Sequence, residues 1–218
     1  MQVSTLFGQG KPTFSFEFFP PKSEKASNTL FNAIQELAPL SPAYVSIPYG
    51  AGGSTRDLTH DLVLRLRNET RLTVVSHLTC VNTTEEEMAE ILDRYHRRGI
   101  ENIMALRGDP PAGQKEFVRP EEGFGYAVEL VKFIRREYPN MCIGVAGFPE
   151  GHPEAPNRLK EMDFLKAKVD AGADYICTQL FFDNHDFYDF RERCRLAGIN
   201  VPIVAGIMPV ISKKSLLR

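Results

Sequence analysis

The sequence predicts an α/β protein with the fold of a (β/α)8 TIM barrel, built as a single domain over residues 1–218. Strand-like and helix-like segments alternate at a spacing of roughly 30 residues, and no shift in composition divides the chain. The strand-like segments are short and almost entirely apolar, as in a parallel sheet covered on both faces. The alternation also fits a doubly wound sheet, but the glycine-rich phosphate turn of that fold does not follow the first strand. Polar residues at the ends of many strands favour the barrel, whose loops converge on one mouth.

The predicted strands are short apolar runs bounded by turn residues. In chain order they cover residues 13–18, 44–47, 72–79, 102–106, 142–147, 175–180 and 202–208. The first run ends at a double proline, which cannot donate backbone hydrogen bonds to a neighbouring strand. Because such barrels typically need about 250 residues, we expect an incomplete barrel here, without the last helices and the eighth strand.

Helices are predicted where apolar residues recur at helical spacing. They cover residues 23–37, 56–68, 83–98, 124–137, 159–171 and 186–197, and residues 212–218 resemble the start of another. The third begins with two threonines and three glutamates, a pattern typical of an N-cap and an acidic first turn. Glycines follow the third, fifth and sixth helices, as expected at helix ends.

Composition and charge argue against several classes of protein. The net charge is −2 with both signs mixed along the chain, which gives no case for binding nucleic acid or an anionic membrane. No apolar run approaches the ~20 residues of a membrane span. The polar N-terminus lacks the apolar core of a signal peptide, so we expect a cytoplasmic protein. The four cysteines form no C-x-x-C pair and are predicted to be free thiols.

The strongest single chemical signal is Glu17, which lies within an aromatic run at residues 14–21. A carboxylate inside an apolar strand is costly unless it finds a partner or becomes neutral. Desolvation raises the pKa of a carboxyl group and keeps it protonated as a proton donor near neutral pH. The alternative is a structural glutamate paired with an Arg or Lys, and the strand alone does not decide between the two.

Other candidate residues lie in loops after the strands. The loop at residues 50–55 could cradle a phosphate, but it lacks the P-loop lysine and a plain loop is favoured. Arg107 and Asp109 flank a glycine at a strand end, either as site residues or as a self-paired turn. His152 lies between prolines, either presented to a ligand or capping the loop. Gln179 could read the edge of a planar heterocycle or be a satisfied core amide.

Metal binding and nucleophilic catalysis are weaker interpretations. The five histidines show no ligand spacing, so no metal site is predicted. No G-x-S-x-G elbow is present. No strand ends in a lysine placed for Schiff-base chemistry, which argues against a lyase or aldolase.

Six segments resemble the methylenetetrahydrofolate reductase family and occur in that family's order. They are Phe-Glu-Phe-Phe-Pro-Pro from residue 16, His-Leu-Thr-Cys from 77, Ala-Leu-Arg-Gly-Asp-Pro from 105, Phe-Pro-Glu-Gly-His-Pro-Glu-Ala from 148, Lys-Val-Asp-Ala-Gly-Ala from 168 and Thr-Gln-Leu-Phe-Phe-Asp from 178. The resemblance covers nearly the whole chain from residue 14 to 210. It implies a flavoprotein oxidoreductase of one-carbon metabolism and methionine biosynthesis. Such an enzyme passes hydride from NADH or NADPH to FAD and then to 5,10-methylenetetrahydrofolate, which becomes 5-methyltetrahydrofolate.

The resemblance also implies roles for individual residues. Glu17 corresponds to the proton donor, Asp109 to the carboxylate shared by flavin and folate, and Gln179 to the amide that holds the pterin. The positions that correspond to FAD contacts are Tyr49, Ala51, His77, Arg107, Gly108, Asp109, Ala127, His152, Ala155, Glu161 and Lys168. Arg107 and Lys168 are the cations suited to the diphosphate. Small-molecule partners and a homo-oligomer are expected, with no nucleic acid and no membrane; the alternative is a flavin- or folate-binding fragment without catalysis.

The sequence departs from the family pattern in several places. Pro48 replaces a threonine that contacts the nicotinamide, and proline has neither an N–H nor a hydroxyl group. Phe148 replaces a common tyrosine, and Phe164 and Ala167 replace polar residues on the flavin side. Beyond the seventh strand, the family continues with two helices, an eighth strand and a substrate-contacting arginine. An open barrel with two free sheet edges is therefore expected, poorly stable unless a partner covers the gap.

Overall fold

The protein is a curled parallel sheet surrounded by helices, seen in a computed structural model that describes residues 1–8, 10, 12–19, 21–49, 56–110, 113–114, 116–210 and 212. The strands are β1 (Phe16–Glu17), β2 (Val45–Ile47), β3 (Val74–Thr79), β4 (Asn102–Leu106), β5 (Cys142–Gly147), β6 (Tyr175–Thr178) and β7 (Ile203–Val204). The helices are α1 (Glu24–Leu37), α2 (Arg56–Glu69), α3 (Glu85–Arg97), α4 (Ala127–Glu137), α5 (Arg158–Asp170) and α6 (Asn184–Leu196). Two short 3-10 helices cover Val3–Leu6 and Ala38–Leu40.

The strand order decides between the two folds that fit the sequence, a barrel and a doubly wound sheet. The seven strands pair in parallel and in sequential order, from β1 to β7. A doubly wound sheet reverses its strand order at a switch point, whereas a barrel does not. The chain therefore forms an incomplete TIM barrel, as predicted. Among the described residues no eighth strand is present, and the outer edges of β1 and β7 have no paired strand.

Alternate residues of strands β3 to β6 contribute to two separate apolar clusters. The outer cluster fills the space between the sheet and the helices and includes Ile47, Leu78 and Ile103. The inner cluster lines the interior of the barrel and contains Val3, Tyr44, Val75, Met104, Cys142 and Tyr175. This separation follows from the two-residue period of a strand, which sends successive side chains to opposite faces. The four cysteines are free, as predicted.

The predicted strand boundaries hold at the centre of the sheet and fail at its edges. Strands β4 and β5 begin and end at the predicted residues. Strands β1 and β7 are only two residues long, although residues 13–18 and 202–208 were expected to be extended strands. Among the described residues, each of these two strands pairs with only one neighbouring strand, so its backbone hydrogen bonds to other strands form on one side only. The helix expected at residues 212–218 lies outside the described residues, except for Ser212.

Helix ends follow the capping chemistry read from the sequence. Thr84 is the N-cap of α3, and its side chain accepts a hydrogen bond from the backbone N–H of Glu87 while the Glu87 carboxylate accepts one from the backbone N–H of Thr84. Gly99, just after α3, has φ of +69°, a conformation that favours glycine. None of the helices in the described part of the chain is long and apolar enough to cross a membrane.

An unpredicted segment covers the N-terminal end of the barrel. The 3-10 helix Val3–Leu6 places Val3 in the inner cluster, fully buried. The backbone N–H of Val3 donates to Oδ1 of Asn102 at 2.7 Å, and the Asn102 amide donates to the carbonyl oxygen of Met1 at 3.0 Å. Because this segment occupies the bottom of the barrel, the opposite end is left as the mouth for a ligand.

Candidate functional site

Glu17 lies inside the barrel, but its environment differs from the sequence prediction. Its side chain is 56% exposed, so the expectation of a carboxylate shielded from water by neighbouring phenylalanines is wrong. Phe16 and Phe18 flank Glu17 in sequence but point to the opposite face of the strand, where Phe18 packs against the outer cluster. Glu17 instead pairs in register with Ser46, on the inner face at the mouth.

The charge state of Glu17 also differs from the prediction. Desolvation in the barrel raises its pKa, but the hydrogen bond and charge of His77 and a hydrogen bond from Ser46 more than offset this effect. The pKa of Glu17 is therefore lowered, not raised, and the carboxylate is ionised at neutral pH in the ligand-free protein. Nε2 of His77 lies 3.4 Å from Oε2 of Glu17 and 2.7 Å from Oγ of Ser46.

Four of the predicted site residues line one cavity at the C-terminal ends of β4, β5 and β6. The cavity has a volume of about 360 Å³, and Arg107, Asp109, His152 and Gln179 are among the residues that line it. Asp109 and Gln179 are exposed, so their side chains are available to a ligand. The structure thus brings together residues from three separate loops, as the barrel topology requires.

Gly108 allows the turn that separates Arg107 from Asp109. Its φ is +87°, and a β-carbon at this position would come within 2.7 Å of a methyl carbon of Val81 and 2.9 Å of the β-carbon of Thr79. Both the conformation and the lack of space favour glycine. The sequence singled out this Arg-Gly-Asp turn as either a site or a self-paired turn, and Arg107 in fact pairs elsewhere.

Arg107 makes a two-pronged ion pair with Glu154. Its Nη1 and Nη2 donate to the Glu154 carboxylate at 2.5 and 2.8 Å. This hydrogen bonding raises the pKa of Arg107 and lowers that of Glu154. Glu154 is 58% exposed, so the pair contributes little to stability. A second cavity, of about 470 Å³, is lined by this pair together with Tyr126 and Phe117.

A second group of polar residues lies beneath the His152 loop. The ammonium of Lys168 donates to the carbonyl oxygen of Ala146 at 2.6 Å, and burial lowers the pKa of Lys168 to about 8 despite the opposing charge of Glu161. Oε1 of Glu161 accepts a hydrogen bond from the backbone N–H of His152 at 3.0 Å. Oε2 of Glu161 is buried and has no hydrogen-bond partner among the described residues. Its nearest cationic group is Nη1 of Arg158 at 3.8 Å, beyond hydrogen-bond distance, so this oxygen is an acceptor suited to a ligand hydroxyl.

The orientation of the His152 ring follows from its own loop. The backbone N–H of Glu154 donates to Nδ1 of His152 at 3.1 Å, so Nδ1 acts as an acceptor. In the neutral ring the proton is then on Nε2, which is left as a donor. The ring also packs edge-on against Phe148, with ring centroids 4.6 Å apart. His152 is therefore half-buried and fixed by its loop.

Tyr49 cannot use its hydroxyl for a ligand while it keeps its observed contact. The hydroxyl lies 2.9 Å from Nε2 of His60, on α2, and burial raises the pKa of Tyr49. Nδ1 of His60 contacts the hydroxyl of Tyr95, which in turn lies 2.8 Å from Oγ of Ser76. Tyr49 can therefore offer a ligand its ring and backbone. The neighbouring Ala51 and the rest of the loop at residues 50–55 lie outside the described residues.

The remaining predicted residues fall at supporting positions. Ala127 is the first residue of α4, and the backbone N–H of Ala155 donates to the carbonyl of His152 at 3.0 Å. Sequence reasoning missed Ser46, Glu154 and His60. Ser46 alternates with Tyr44 on a short strand, and that two-residue period was the one signal that could have placed Ser46 inside the barrel.

Comparison with known proteins assigns the family. The family model described as Methylenetetrahydrofolate reductase matches residues 2–218. The chain belongs to the methylenetetrahydrofolate reductase family. This confirms the resemblance carried by the six ordered segments.

Individual relatives of this family agree over nearly all of the chain. "Methylenetetrahydrofolate reductase (NADH) 1" of Arabidopsis thaliana is 43% identical over 227 residues, which is 100% of this chain and 38% of that protein. "5,10-methylenetetrahydrofolate reductase" of Escherichia coli is 43% identical over 206 residues, which is 94% of this chain and 67% of that protein. The chain thus spans well under half the length of the plant reductase and about two thirds of the bacterial one.

Similar solved structures support the fold alone. A Clostridium thermocellum protein described as binding two copies of 5-methyl-5,6,7,8-tetrahydrofolic acid has a TM-score of 0.65 and 18% identity, over 95% of this chain and 69% of that one. Dihydropteroate synthase of Xanthomonas albilineans has a TM-score of 0.55 and 14% identity, over 90% of this chain and 71% of that one. At such low identity, likeness of fold does not carry function.

Proposed function

We propose that the chain reduces 5,10-methylenetetrahydrofolate to 5-methyltetrahydrofolate, with FAD as cofactor and a reduced nicotinamide as electron donor. The observation that carries this proposal is the meeting of Asp109, Gln179 and His152 at one cavity in a chain of this family. Glu17 lies in the same barrel, beside His77. The NADH in the name of the Arabidopsis relative supports a nicotinamide donor, although Pro48 offers it neither an N–H nor a hydroxyl group.

The residues present fit FAD by the chemistry of their donors and acceptors. Two cations, Arg107 and Lys168, suit a diphosphate, and the guanidinium of Arg107 has N–H groups beyond the two that hold Glu154. Oε2 of Glu161, which makes no hydrogen bond among the described residues and lies 3.8 Å from Nη1 of Arg158, suits a ribose hydroxyl. When bound, FAD would supply the hydride chemistry, and the protein would orient it and the substrate.

Glu17 would supply the proton that the folate nitrogen needs. Because the carboxylate is ionised in the open mouth, it must first take up a proton. A planar substrate that covers the exposed side chain removes water from it, and desolvation already raises the pKa of Glu17. The substrate itself would therefore help convert Glu17 from base to acid, with the proton held on a carboxylate oxygen.

Gln179 and Asp109 would hold the folate ring. An amide offers one acceptor oxygen and two N–H donors, which match the paired donors and acceptors on a pterin edge. The backbone N–H of Gln179 donates to the carbonyl of Gly147 at 2.7 Å, which fixes the start of its loop. Asp109, an exposed acceptor on the same cavity, can accept from a ring N–H.

A cytoplasmic location, a single catalytic domain and a homo-oligomeric state remain predictions from the sequence. The role in one-carbon metabolism and methionine biosynthesis follows from the proposed reaction, and the experiment that tests the reaction also tests this role.

The decisive experiment is anaerobic. The flavin of the purified protein is reduced, 5,10-methylenetetrahydrofolate is added, and reoxidation is followed by flavin absorbance. We expect reoxidation in the wild type and a loss of at least about 100-fold in rate in Glu17→Gln, because general acids commonly contribute 10²–10⁴-fold.

The matched control is Glu36→Gln, which removes the same charge from an exposed position on α1 and should reoxidise at the wild-type rate. Reoxidation of Glu17→Gln at the wild-type rate contradicts the role of Glu17. Flavin binding without any reoxidation in the wild type indicates a flavin-binding protein that lacks this activity.

A further inference from the structure

Ser46 occupies a point of contact between two other side chains of the barrel interior. It lies on β2, next to Glu17 of β1 in the sheet register, and is only 4% exposed. Its Oγ is 2.7 Å from Nε2 of His77, on β3, and its hydroxyl lowers the pKa of Glu17 as a hydrogen-bond donor. The same nitrogen of His77 lies 3.4 Å from the Glu17 carboxylate. Three consecutive strands thus place three polar groups in one triangle.

The hydrogens in this triangle have one consistent arrangement. An ionised carboxylate only accepts hydrogen bonds, so Ser46 can hydrogen-bond Glu17 only by donating its hydroxyl hydrogen. If Nε2 of His77 lacked a proton, its lone pair would face the carboxylate and the serine hydrogen would be drawn away from Glu17. If Nε2 carries the proton, it donates to Oγ of Ser46, and the Ser46 hydroxyl donates to Glu17.

We propose that Ser46 is a positioning residue, which links His77 to Glu17 through a directional chain of hydrogen bonds. The role of Glu17 as the proton donor rests on the proposed function, whereas the chain of hydrogen bonds does not depend on it. The proposed role of Ser46 requires no contact with the substrate, because Ser46 acts through the other two side chains.

The other groups that face Glu17 cannot take the place of this chain. Tyr44, just before β2, and Cys177 of β6 lie close enough to interact with its charge, and burial raises the pKa of Cys177 to about 12 and that of Tyr44 to about 12. Both are therefore neutral around neutral pH. His77 and Ser46 are left as the groups that set the charge state of Glu17.

The test is an infrared titration of the Glu17 carboxyl group in the ligand-free protein. Difference spectra against Glu17→Gln isolate its band. In Ser46→Ala we expect the titration midpoint to move upward, because a hydrogen bond to the ionised form is lost. Ser46→Thr keeps a hydroxyl and should return the midpoint toward the wild-type value.

Ser76→Ala is the matched control. Ser76 is a fully buried serine on the neighbouring strand, but its hydroxyl contacts Tyr95 on the helix side of the sheet. This variant should leave the Glu17 midpoint unchanged while losing a buried hydrogen bond of similar kind. A midpoint in Ser46→Ala equal to that of the wild type overturns the proposal, as does an equal shift in Ser76→Ala.

A second measurement needs no variant at position 46 and holds even if Ser46→Ala does not fold. In ¹⁵N-labelled wild-type protein, with the His77 signals assigned by their loss in His77→Gln, Nε2 should carry a proton at neutral pH. A bare Nε2 overturns the hydrogen-bond chain. Absence of folate-dependent reoxidation in the wild type would overturn the proposed function and leave both of these results standing.

Discussion

At the scale of single residues, chemistry is set by neighbours that are distant in the sequence. Glu17 is flanked by phenylalanines along the chain, yet its charge state depends on His77 and Ser46. Arg107 is adjacent to a glycine and two positions from Asp109, yet it binds Glu154. In both cases the strand or loop directs the side chain away from its sequence neighbours.

Lys168 gives a prediction of this kind. Its pKa is lowered to about 8 in the ligand-free protein, so above that pH it is neutral and must gain a proton to pair with a diphosphate. We expect the affinity for FAD to weaken as pH rises from 7 to 9.5, by at most about tenfold per pH unit. Fluorescence titration of FAD at each pH measures the dissociation constant.

The control for Lys168 is a variant without an ionisable group. Lys168→Met should bind FAD more weakly at pH 7 and should lose this part of the pH dependence. Lys160→Met removes an exposed lysine of the same helix and should keep the wild-type profile. A Lys168→Met profile that parallels the wild type would show that Lys168 does not bind the cofactor.

At the scale of elements, a buried polar chain joins α2 and α3 to the sheet. His60 of α2 contacts Tyr49 after β2 and Tyr95 of α3, and Tyr95 contacts Ser76 of β3. Burial, together with nearby arginines, lowers the pKa of His60 to about 3. The ring is therefore neutral and can donate one hydrogen bond and accept one, which satisfies both tyrosine hydroxyls.

His60→Phe is expected to lower the free energy of unfolding by about 1–3 kcal/mol at pH 7.5, because the hydroxyl of Tyr49 loses its buried partner. The deficit should shrink as pH falls below 6.5. Below pH 6.5, His60 binds a proton in the unfolded wild-type chain but not in the folded protein, where its pKa is about 3. The free energy of unfolding of the wild type therefore falls as the pH falls. The variant has no histidine at this position and lacks this contribution.

Urea denaturation at pH 7.5 and 5.0 measures both parts of that prediction. His96→Phe is the matched control, since His96 is exposed on α3 and its loss should change stability by less than about 0.5 kcal/mol. A difference between wild type and His60→Phe that is independent of pH would contradict a buried neutral histidine.

At the scale of the whole molecule, the first residues close the bottom of the barrel. Asn102 holds them through its side chain, with bonds to the backbone of Val3 and Met1. The rings of Phe7 and Tyr175 meet inside with centroids 5.6 Å apart. Gly144 faces the Tyr175 ring and has no room for a side chain, so the interior is filled at this level.

Asn102→Leu should free this segment. The buried N–H of Val3 would lose its acceptor, at a cost of about 1–3 kcal/mol in unfolding free energy. Limited proteolysis should then cleave within residues 1–8 faster than in the wild type. Asn140→Leu is the control, because only the backbone carbonyl of Asn140 contacts the segment. Equal cleavage rates in the two variants would show that the Asn102 side chain does not anchor it.

Much of the fold could be predicted because its signals are local. Strands β4 and β5 were placed to the residue, since each is an apolar run bounded by turns. An N-cap at the threonines that begin the third helix was also predicted, because a cap depends on residues a few positions apart, and the structure identifies it as Thr84. The extents of β1 and β7 were wrong, since strand length depends on how many neighbours the strand pairs with.

The candidate site was predicted in part for the same reason. Asp109, His152 and Gln179 follow successive strands, and the topology alone brings strand ends together. The Arg107–Glu154 pair joins residues 47 positions apart, and no local sequence pattern predicts which carboxylate an arginine will pair with.

The amino-acid sequence by itself determined the order of the strands and helices and the family to which the chain belongs, because periodicity and motifs extend over a few residues. Only the tertiary structure decided that Glu17 is open to water, is ionised, and lies beside Ser46 and His77. The physical reason is that sheet register places residues from different strands side by side, and the pKa of a carboxyl group depends on those spatial neighbours.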